Sequence, residues 1–210
     1  MINGKPLVMI GVPSAGIWKA PMGHNAVMLT AMSVHQGILV DCLSADSCYV
    51  EQNRNNIVGL TLGYHVPIDA ILWIDTDMKF PPDALIKLWN RKQDIAGCDY
   101  RARNDPFDPK GAYLDGKDHR LDHGMHKMSR LPGGFILVKL DVYRKMARPW
   151  YKAPVEEGDA RDDYHFCDKA REAGFDVWCD MDLTPQVMHR GEYDVPWLIG
   201  EHELARRAAA

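Results

Sequence analysis

The segment Leu72-Trp73-Ile74-Asp75-Thr76-Asp77 closes an apolar run with two carboxylates placed two positions apart. In an extended chain residues i and i+2 project from one face. Asp75 and Asp77 can therefore address a single point just past the end of a buried strand, where ligands of open α/β sheets bind. Neighbouring carboxylates repel unless a cation lies between them. A hard divalent ion, Mn²⁺ or Mg²⁺, does this, and it completes its shell with phosphate oxygens and water. An acidic turn at a strand end is the ordinary alternative, and Asp-x-Asp alone does not decide between the two.

Other residues with chemical potential are scattered. Asp162 and Asp163 precede a helical stretch ending at Gly174, where an aspartate by default serves as an N-cap. Gly133-Gly134 precedes a second apolar run; glycine there permits a close approach to a ligand or a positive φ, and an ordinary turn would use it too. His119, His123 and His126 are close enough to raise the question of zinc, but no cysteine joins them and the segment lacks a helical period, so it reads as a polar loop. Trp150, Trp178 and Trp197 could stack on a sugar, with core packing as the default. Cys42, Cys48, Cys98, Cys167 and Cys179 are odd in number and form no Cys-x-x-Cys pair, which favours reduced thiols over a disulfide framework or zinc knuckle.

The elements that must position these groups show in the hydrophobic pattern. Pro6 to Pro13 and Ala70 to Asp77 read as strands buried on both faces, and Ile38 to Leu43, Ile95 to Tyr100, Gly134 to Leu140 and Val177 to Cys179 as further strands. Helical spacing covers Asn25 to His35 through Val27, Met28 and Met32, and Val50 to Tyr64 through Ile57, Val58, Leu60 and Leu62. Phe80-Pro-Pro-Asp83 is a start signal for a helix over 84–90, Asp141 can cap one over 142–147, and Gly174 can close the helix begun at Asp162 or Asp163. Residues 101–130 hold seven Lys/Arg, five Asp and three His with almost no apolar period, which predicts one long functional loop. Strands alternating with helices mean an α/β sandwich around a largely parallel or mixed sheet.

The 210 residues carry 25 Lys+Arg against 29 Asp+Glu, a formal charge of −4, and 46% are hydrophobic; these totals fit one globular domain and argue against binding nucleic acid by charge alone. Ten Asp/Glu against three Lys/Arg between Glu156 and Asp182 read as a solvated face. No stretch approaches the ~18 apolar residues of a membrane helix, and the N-terminal run before Pro13 is too short for a signal-peptide core. With reduced thiols, the expectation is a cytoplasmic protein.

Taken in order, these motifs resemble the nucleotide-diphospho-sugar glycosyltransferases of the GT-A fold, in particular the inverting family 2 and its bacterial and phage relatives. The resemblance spans roughly residues 5–193. It rests on Val12-Pro13-Ser14 at the end of the first strand, Arg54-Asn55 on the following helix, Leu72 to Asp83 around the Asp-x-Asp segment, Gly133 to Asp141, and Asp162 to Phe175. It implies a three-layer α/β/α sandwich in one domain, 1–210, with a donor-binding half of about 1–100 and an acceptor-side half of about 101–200.

By the same resemblance, Pro13, Ser14, Arg54, Asp75, Gly133 and Gly134 contact the donor, and Asp75, Asp77 and His189 hold Mn²⁺ or Mg²⁺. Asp163 takes the proton of the acceptor hydroxyl. Asp162 stands where glutamate is commoner, one methylene shorter, so which of the pair is the base stays open. Residues 101–130 would form a lid over both substrates. The implied activity is inverting transfer of a sugar from a UDP- or GDP-sugar to an acceptor hydroxyl on a glycan, lipid-linked sugar, protein or modified DNA base. A non-catalytic sugar-nucleotide-binding domain and a nucleotidyltransferase are the alternatives, and the second lacks a Gly-rich basic opening loop for a triphosphate.

Overall fold

An unbroken apolar run buries β1 (Leu7–Ser14) along its whole length. After it come α1 (Ala20–His35), β2 (Leu39–Asp46), α2 (Val50–Leu62), β3 (Ala70–Ile74), β4 (Met78–Lys79), α3 (Ala84–Asn90), β5 (Ile95–Gly97), β6 (Ala112–Tyr113) and β7 (Met125–Arg130). The chain continues through β8 (Phe135–Lys139), α4 (Leu140–Lys145), α5 (Asp162–Glu172), β9 (Val177–Asp180), a 3₁₀ turn (Thr184–Gln186), β10 (Met188–Arg190) and β11 (Asp194–Val195). This computed structural model describes residues 2–102, 108–154, 161–190 and the backbone of 194–195.

Side-chain parity sets the layers. On β1, Leu7 and Met9 join one apolar cluster while Val8, Ile10 and Val12 join another; on β3, Ile71 and Trp73 separate in the same way from Ala70, Leu72 and Ile74. The first cluster includes Ile57 and Val58 of α2, Val142 and Tyr143 of α4, and Phe166 and Ala170 of α5. The second takes Met22 and Leu29 of α1 with Leu85 and Leu88 of α3. A central sheet thus carries helices on both faces, the three-layer α/β/α sandwich.

The eight-stranded sheet has the order β2-β1-β3-β8-β5-β9-β7-β6. β1 is parallel to β2 and β3, and β5 to β9; β8 runs against both β3 and β5, and β7 against β9 and β6. Every strand but β8 and β7 therefore points one way. A small sheet, β11-β10-β4, stands beside it. No helix among the described residues is long and apolar enough to cross a membrane.

Several details differ from the sequence pattern. α1 starts at Ala20, and its buried face is Met22, Leu29 and Ser33, whereas Val27, Met28 and Met32 are exposed. Leu60 of α2 is likewise exposed. Asp141 lies inside the first turn of α4, paired with Arg144 instead of capping. The segment 101–130 is not one loop: β6 and β7 extend the main sheet, and β7 reads as loop in the sequence because only Met128 of its Met-His-Lys-Met-Ser-Arg sequence is fully buried. β9 is followed by a further strand, β10, which contains His189. α3 spans the residues its Pro-Pro-Asp signal indicates, and Gly174, at φ +88°, follows the end of α5 in the left-handed region that favours glycine.

Candidate active site

Where β3 ends, Asp75 continues the pairing with the reversed strand for one more step, its N–H bonding the Gly134 carbonyl at 3.0 Å. The chain then turns, Met78 N–H meeting the Asp75 carbonyl at 3.2 Å, and enters β4. β4 pairs antiparallel with β10, placing His189 opposite Met78, and Arg190 N–H bonds the Asp77 carbonyl at 2.8 Å. This pairing brings His189 Nε2 to 3.1 Å from Asp77 Oδ2. Pro13 lies two positions past Gly11 on β1, and Asp75 two past Trp73, its register partner on β3; Pro13 and Ser14 therefore reach the same rim of the sheet.

The two aspartates have different partners. Asp75 Oδ1 accepts from Arg54 at 2.8 Å, and the same guanidinium donates Nε to Asp162 Oδ2 at 3.1 Å and a terminal nitrogen to the Gly133 carbonyl at 3.2 Å. Arg54 is 2% exposed. It lies over the rings of Trp73 and Tyr151, 5.2 and 5.6 Å from their centroids, where a cation is favoured by the ring faces. Those aromatics are fixed in turn: Trp73 Nε1 donates to the Tyr143 hydroxyl at 2.7 Å, which meets the Tyr151 hydroxyl at 2.8 Å. Asn55 holds the backbone of Trp150 and Tyr151.

The glycines are required by side chains. Neither Gly133 nor Gly134 has a positive φ. A Cβ on Gly133 would stand 3.1 Å from both Arg54 and the Cβ of Asp163, and one on Gly134 would strike the Tyr100 hydroxyl and lie 3.0 Å from Asp75 Oδ2. Gly133 N–H donates to Asp163 Oδ2 at 3.1 Å, and Gly134 N–H to the Tyr100 hydroxyl at 2.8 Å. Asp162 and Asp163 open α5 without capping it. Asp163 Oδ1 accepts from its neighbour Tyr164 N–H at 2.9 Å.

Burial and neighbouring carboxylates raise the cluster's affinity for protons. Burial raises the Asp75 carboxyl above its ordinary value, Arg54 opposes this, and Asp77 and Asp163 reinforce it. The Asp163 carboxyl is raised by burial and then by Asp162. Asp75 nonetheless keeps 30% of its side-chain surface accessible, so it can be reached from outside. Clustered carboxylates with raised affinity for protons are the groups an added cation would relieve.

Asp77 and His189 are a fitting pair of ligands for such a cation. Adjacent ligands of an octahedral ion at 2.0–2.1 Å stand about 3 Å apart, close to the observed 3.1 Å. His189 is 7% exposed, and its Nε2, facing Asp77, is the nitrogen placed for the ion, while its Nδ1 has no hydrogen-bond partner among the described residues. Asp75, tied to Arg54, does not complete a tight trio with them: among the described residues the three side chains whose ligand atoms lie within 4.8 Å of one another are His119, Asp122 and His126.

Residues that sequence reasoning missed surround the site. Asn53 donates to the Ser14 and Ser47 carbonyls at 2.9 and 3.0 Å and fixes the end of β1. Lys19 donates its ammonium to the Arg190 carbonyl at 2.8 Å and its N–H to Thr76. Asp99, fully buried, accepts N–H bonds from Tyr100, Lys110 and Gly111. A signal existed for Asn53, which shares the helical stripe of Arg54, Ile57, Val58 and Thr61. Of the tryptophans, Trp150 is buried and bonded to the Tyr143 and Met146 carbonyls, Trp178 carries the Lys127 ammonium over its ring, and Trp197 lies outside the described residues.

The architecture is a GT-A-like fold, a mixed α/β sheet with helices on both faces. Solved structures that share it include A197 from STIV, at TM-score 0.56 and 14% identity over 94% of this chain and 99% of that one. The catalytic domain of Drosophila beta1,4galactosyltransferase 7 in complex with xylobiose matches at TM-score 0.51 and 14% identity, over 96% of this chain and 79% of that one. Its D211N mutant, in complex with manganese, UDP-Gal and xylobiose, matches at 0.50 over the same shares. No protein-family model and no curated protein matches the sequence.

Proposed function

We propose that this protein is a metal-dependent glycosyltransferase that moves a sugar from a nucleoside-diphosphate donor, a UDP- or GDP-sugar, to an acceptor hydroxyl with inversion. The observation that carries the reading is the Asp77–His189 pair at 3.1 Å beside the Asp75–Arg54–Asp162 bridge, on a fold shared with a galactosyltransferase crystallised with manganese and UDP-Gal. Asp77 and His189 would hold Mn²⁺ or Mg²⁺. Such an ion supplies Lewis-acid stabilisation of a departing diphosphate, worth several kcal/mol.

In this reading the chain is one domain with a donor half near 1–100 and an acceptor half near 101–200. Pro13, Ser14 and the accessible edge of Asp75 receive the nucleoside, with Arg54 holding Asp75 oriented and opposing the rise that burial gives its carboxyl. Gly133 and Gly134 let the donor-side and acceptor-side carboxylates approach one strand. Asp163 is the general base: Arg54 neutralises Asp162, while burial strengthens Asp163 as a proton acceptor. The acceptor is a hydroxyl on a glycan, lipid-linked sugar, protein or modified base. Five free thiols suit the cytoplasmic setting expected.

The test is donor hydrolysis or transfer assayed with Mn²⁺ or Mg²⁺ over a panel of UDP- and GDP-sugars. Activity should require the ion and fall by roughly 10²-fold or more in Asp77→Asn. Full activity in that variant, or release of pyrophosphate in place of a nucleoside diphosphate, would overturn the proposal.

A further inference from the structure

A second group of metal-ligating side chains lies at the connection between β6 and β7 and the start of β7, four strands along the sheet from β3. His119 and Asp122 come from that connection and His126 from β7 itself, and their ligand atoms lie within 4.8 Å of one another. Asp122 Oδ2 is the hub, 2.6 Å from His119 Nδ1 and 3.9 Å from His126 Nε2. The two imidazole rings face each other with centroids 4.6 Å apart, and Tyr113 closes against both from β6. His123, the third histidine of the sequence cluster, is 92% exposed and turns instead to Asp182.

We propose that His119, Asp122 and His126 form a zinc-class divalent metal site, with Asp115 as the carboxylate that orients His119. Two imidazoles and one carboxylate are the donor set that suits Zn²⁺ in a three-ligand site with a fourth position for water. Ligand atoms around a tetrahedral ion at 2.0–2.2 Å stand about 3.4 Å apart, between the 2.6 and 3.9 Å measured here. Small side-chain rotations complete the geometry. His126 Nε2 gives up its 3.1 Å hydrogen bond to the His123 carbonyl when it turns to the ion.

The outer contacts are also in place. His119 Nε2 lies 2.9 Å from Asp115 Oδ2, so the nitrogen facing away from the cluster is held by a carboxylate, the arrangement that fixes the ring and raises its basicity at zinc. Asp115, His119 and His126 line a cavity of about 280 Å³ with Leu114 and Lys127, which gives an ion a way in. Bound there, the ion would join residues from the β6–β7 connection to β7 and shorten the free loop. The sequence hid the site because the third ligand is an aspartate between the histidines, and because the returning strand that presents His126 reads as loop.

The experiment titrates ZnCl₂ into the 210-residue protein by calorimetry, alone and in variants, with Asp77→Asn used to remove the rim pair from the count. Asp77→Asn protein should retain one zinc, and adding His126→Ala or Asp122→Asn should weaken that binding at least tenfold. Asp115→Asn should weaken it by about 10–100-fold, the usual effect of losing an orienting carboxylate. Co²⁺ added in place of Zn²⁺ should give the intense visible bands of a tetrahedral ion, lost in Asp122→Asn, a change at an exposed residue that leaves the fold intact. Absence of zinc binding in Asp77→Asn protein, or binding unchanged by both His126→Ala and Asp122→Asn, would overturn the site.

Discussion

Arg54 donates Nε to Asp162 across 3.1 Å, although the two residues stand 108 positions apart in the chain. The same side chain reaches Asp75, so one buried cation joins the end of β3 to the start of α5. A shift of either element is felt by the other through this guanidinium, whose fork can serve two carboxylates where a lysine's point charge could not.

Replacing Arg54 by Met leaves Asp75 and Asp162 without their shared cation. Removing one partner of a buried ion pair costs about 3–5 kcal/mol, and for a chain of this size each kcal/mol lowers the melting temperature by about 2–4 °C. A fall of roughly 10 °C is expected in a thermal melt. An unchanged midpoint would show that the bridge contributes nothing to the fold.

Gly134→Ala should injure the site, because its Cβ meets Tyr100 and Asp75, whereas Gly23→Ala in α1 has open space within 4 Å. Overpacking costs about 1–3 kcal/mol, and alanine in a helix gains up to about 1 kcal/mol over glycine. Urea unfolding should therefore show one variant weakened and the other equal to or firmer than the parent. Equal stability of the two would contradict the crowding.

Asp163→Asn and Asp162→Asn should behave differently. Loss of a general base lowers turnover by about 10²–10⁴-fold, so Asp163→Asn should drop kcat with donor KM little changed. Asp162→Asn should chiefly destabilise, since it deprives Arg54 of one partner. Steady-state kinetics beside thermal melts separate the two, and the roles exchange if Asp162→Asn is the slower enzyme with an intact melt.

Asp99 makes stability depend on pH. Burial raises its carboxyl from 3.8 to about 6, against the backbone N–H groups that pull it down. A folded value above the unfolded one means the native state holds the proton more tightly. The contribution is then fully present below about pH 4 and is lost as pH rises to about 6, an effect of about 3 kcal/mol. Unfolding free energies measured from pH 4 to 7 should fall for the parent relative to Asp99→Asn. Parallel profiles would refute the assignment.

The strands and helices of the central layer were legible because burial leaves a periodic trace: the apolar runs of β1 and β3, and the Phe80-Pro-Pro-Asp83 start of α3. At the sheet edge that trace fails. β7 buries only Met128 completely, so its polar sequence reads as loop. Within the site, Asp75, Asp77 and His189 could be named from motif order, but not the division of partners between the aspartates. That division depends on Arg54 and on the β4–β10 pairing, which join residues far apart in sequence. Asp99 left no trace, since a lone acid after a short strand looks the same whether solvated or buried.

The reversal of β8 between β3 and β5 has a chemical result. Because this strand enters the sheet at the rim where β3 leaves it, the diglycine lies beside the aspartates, with the Gly133 amide bonded to Asp163 and the Gly134 amide to the Tyr100 hydroxyl. Were β8 turned to match its neighbours, Gly133 and Gly134 would emerge at the far edge, and Asp163 would have to find another donor to steady it. One inverted strand thus lets a surface rich in acceptors acquire donors of its own.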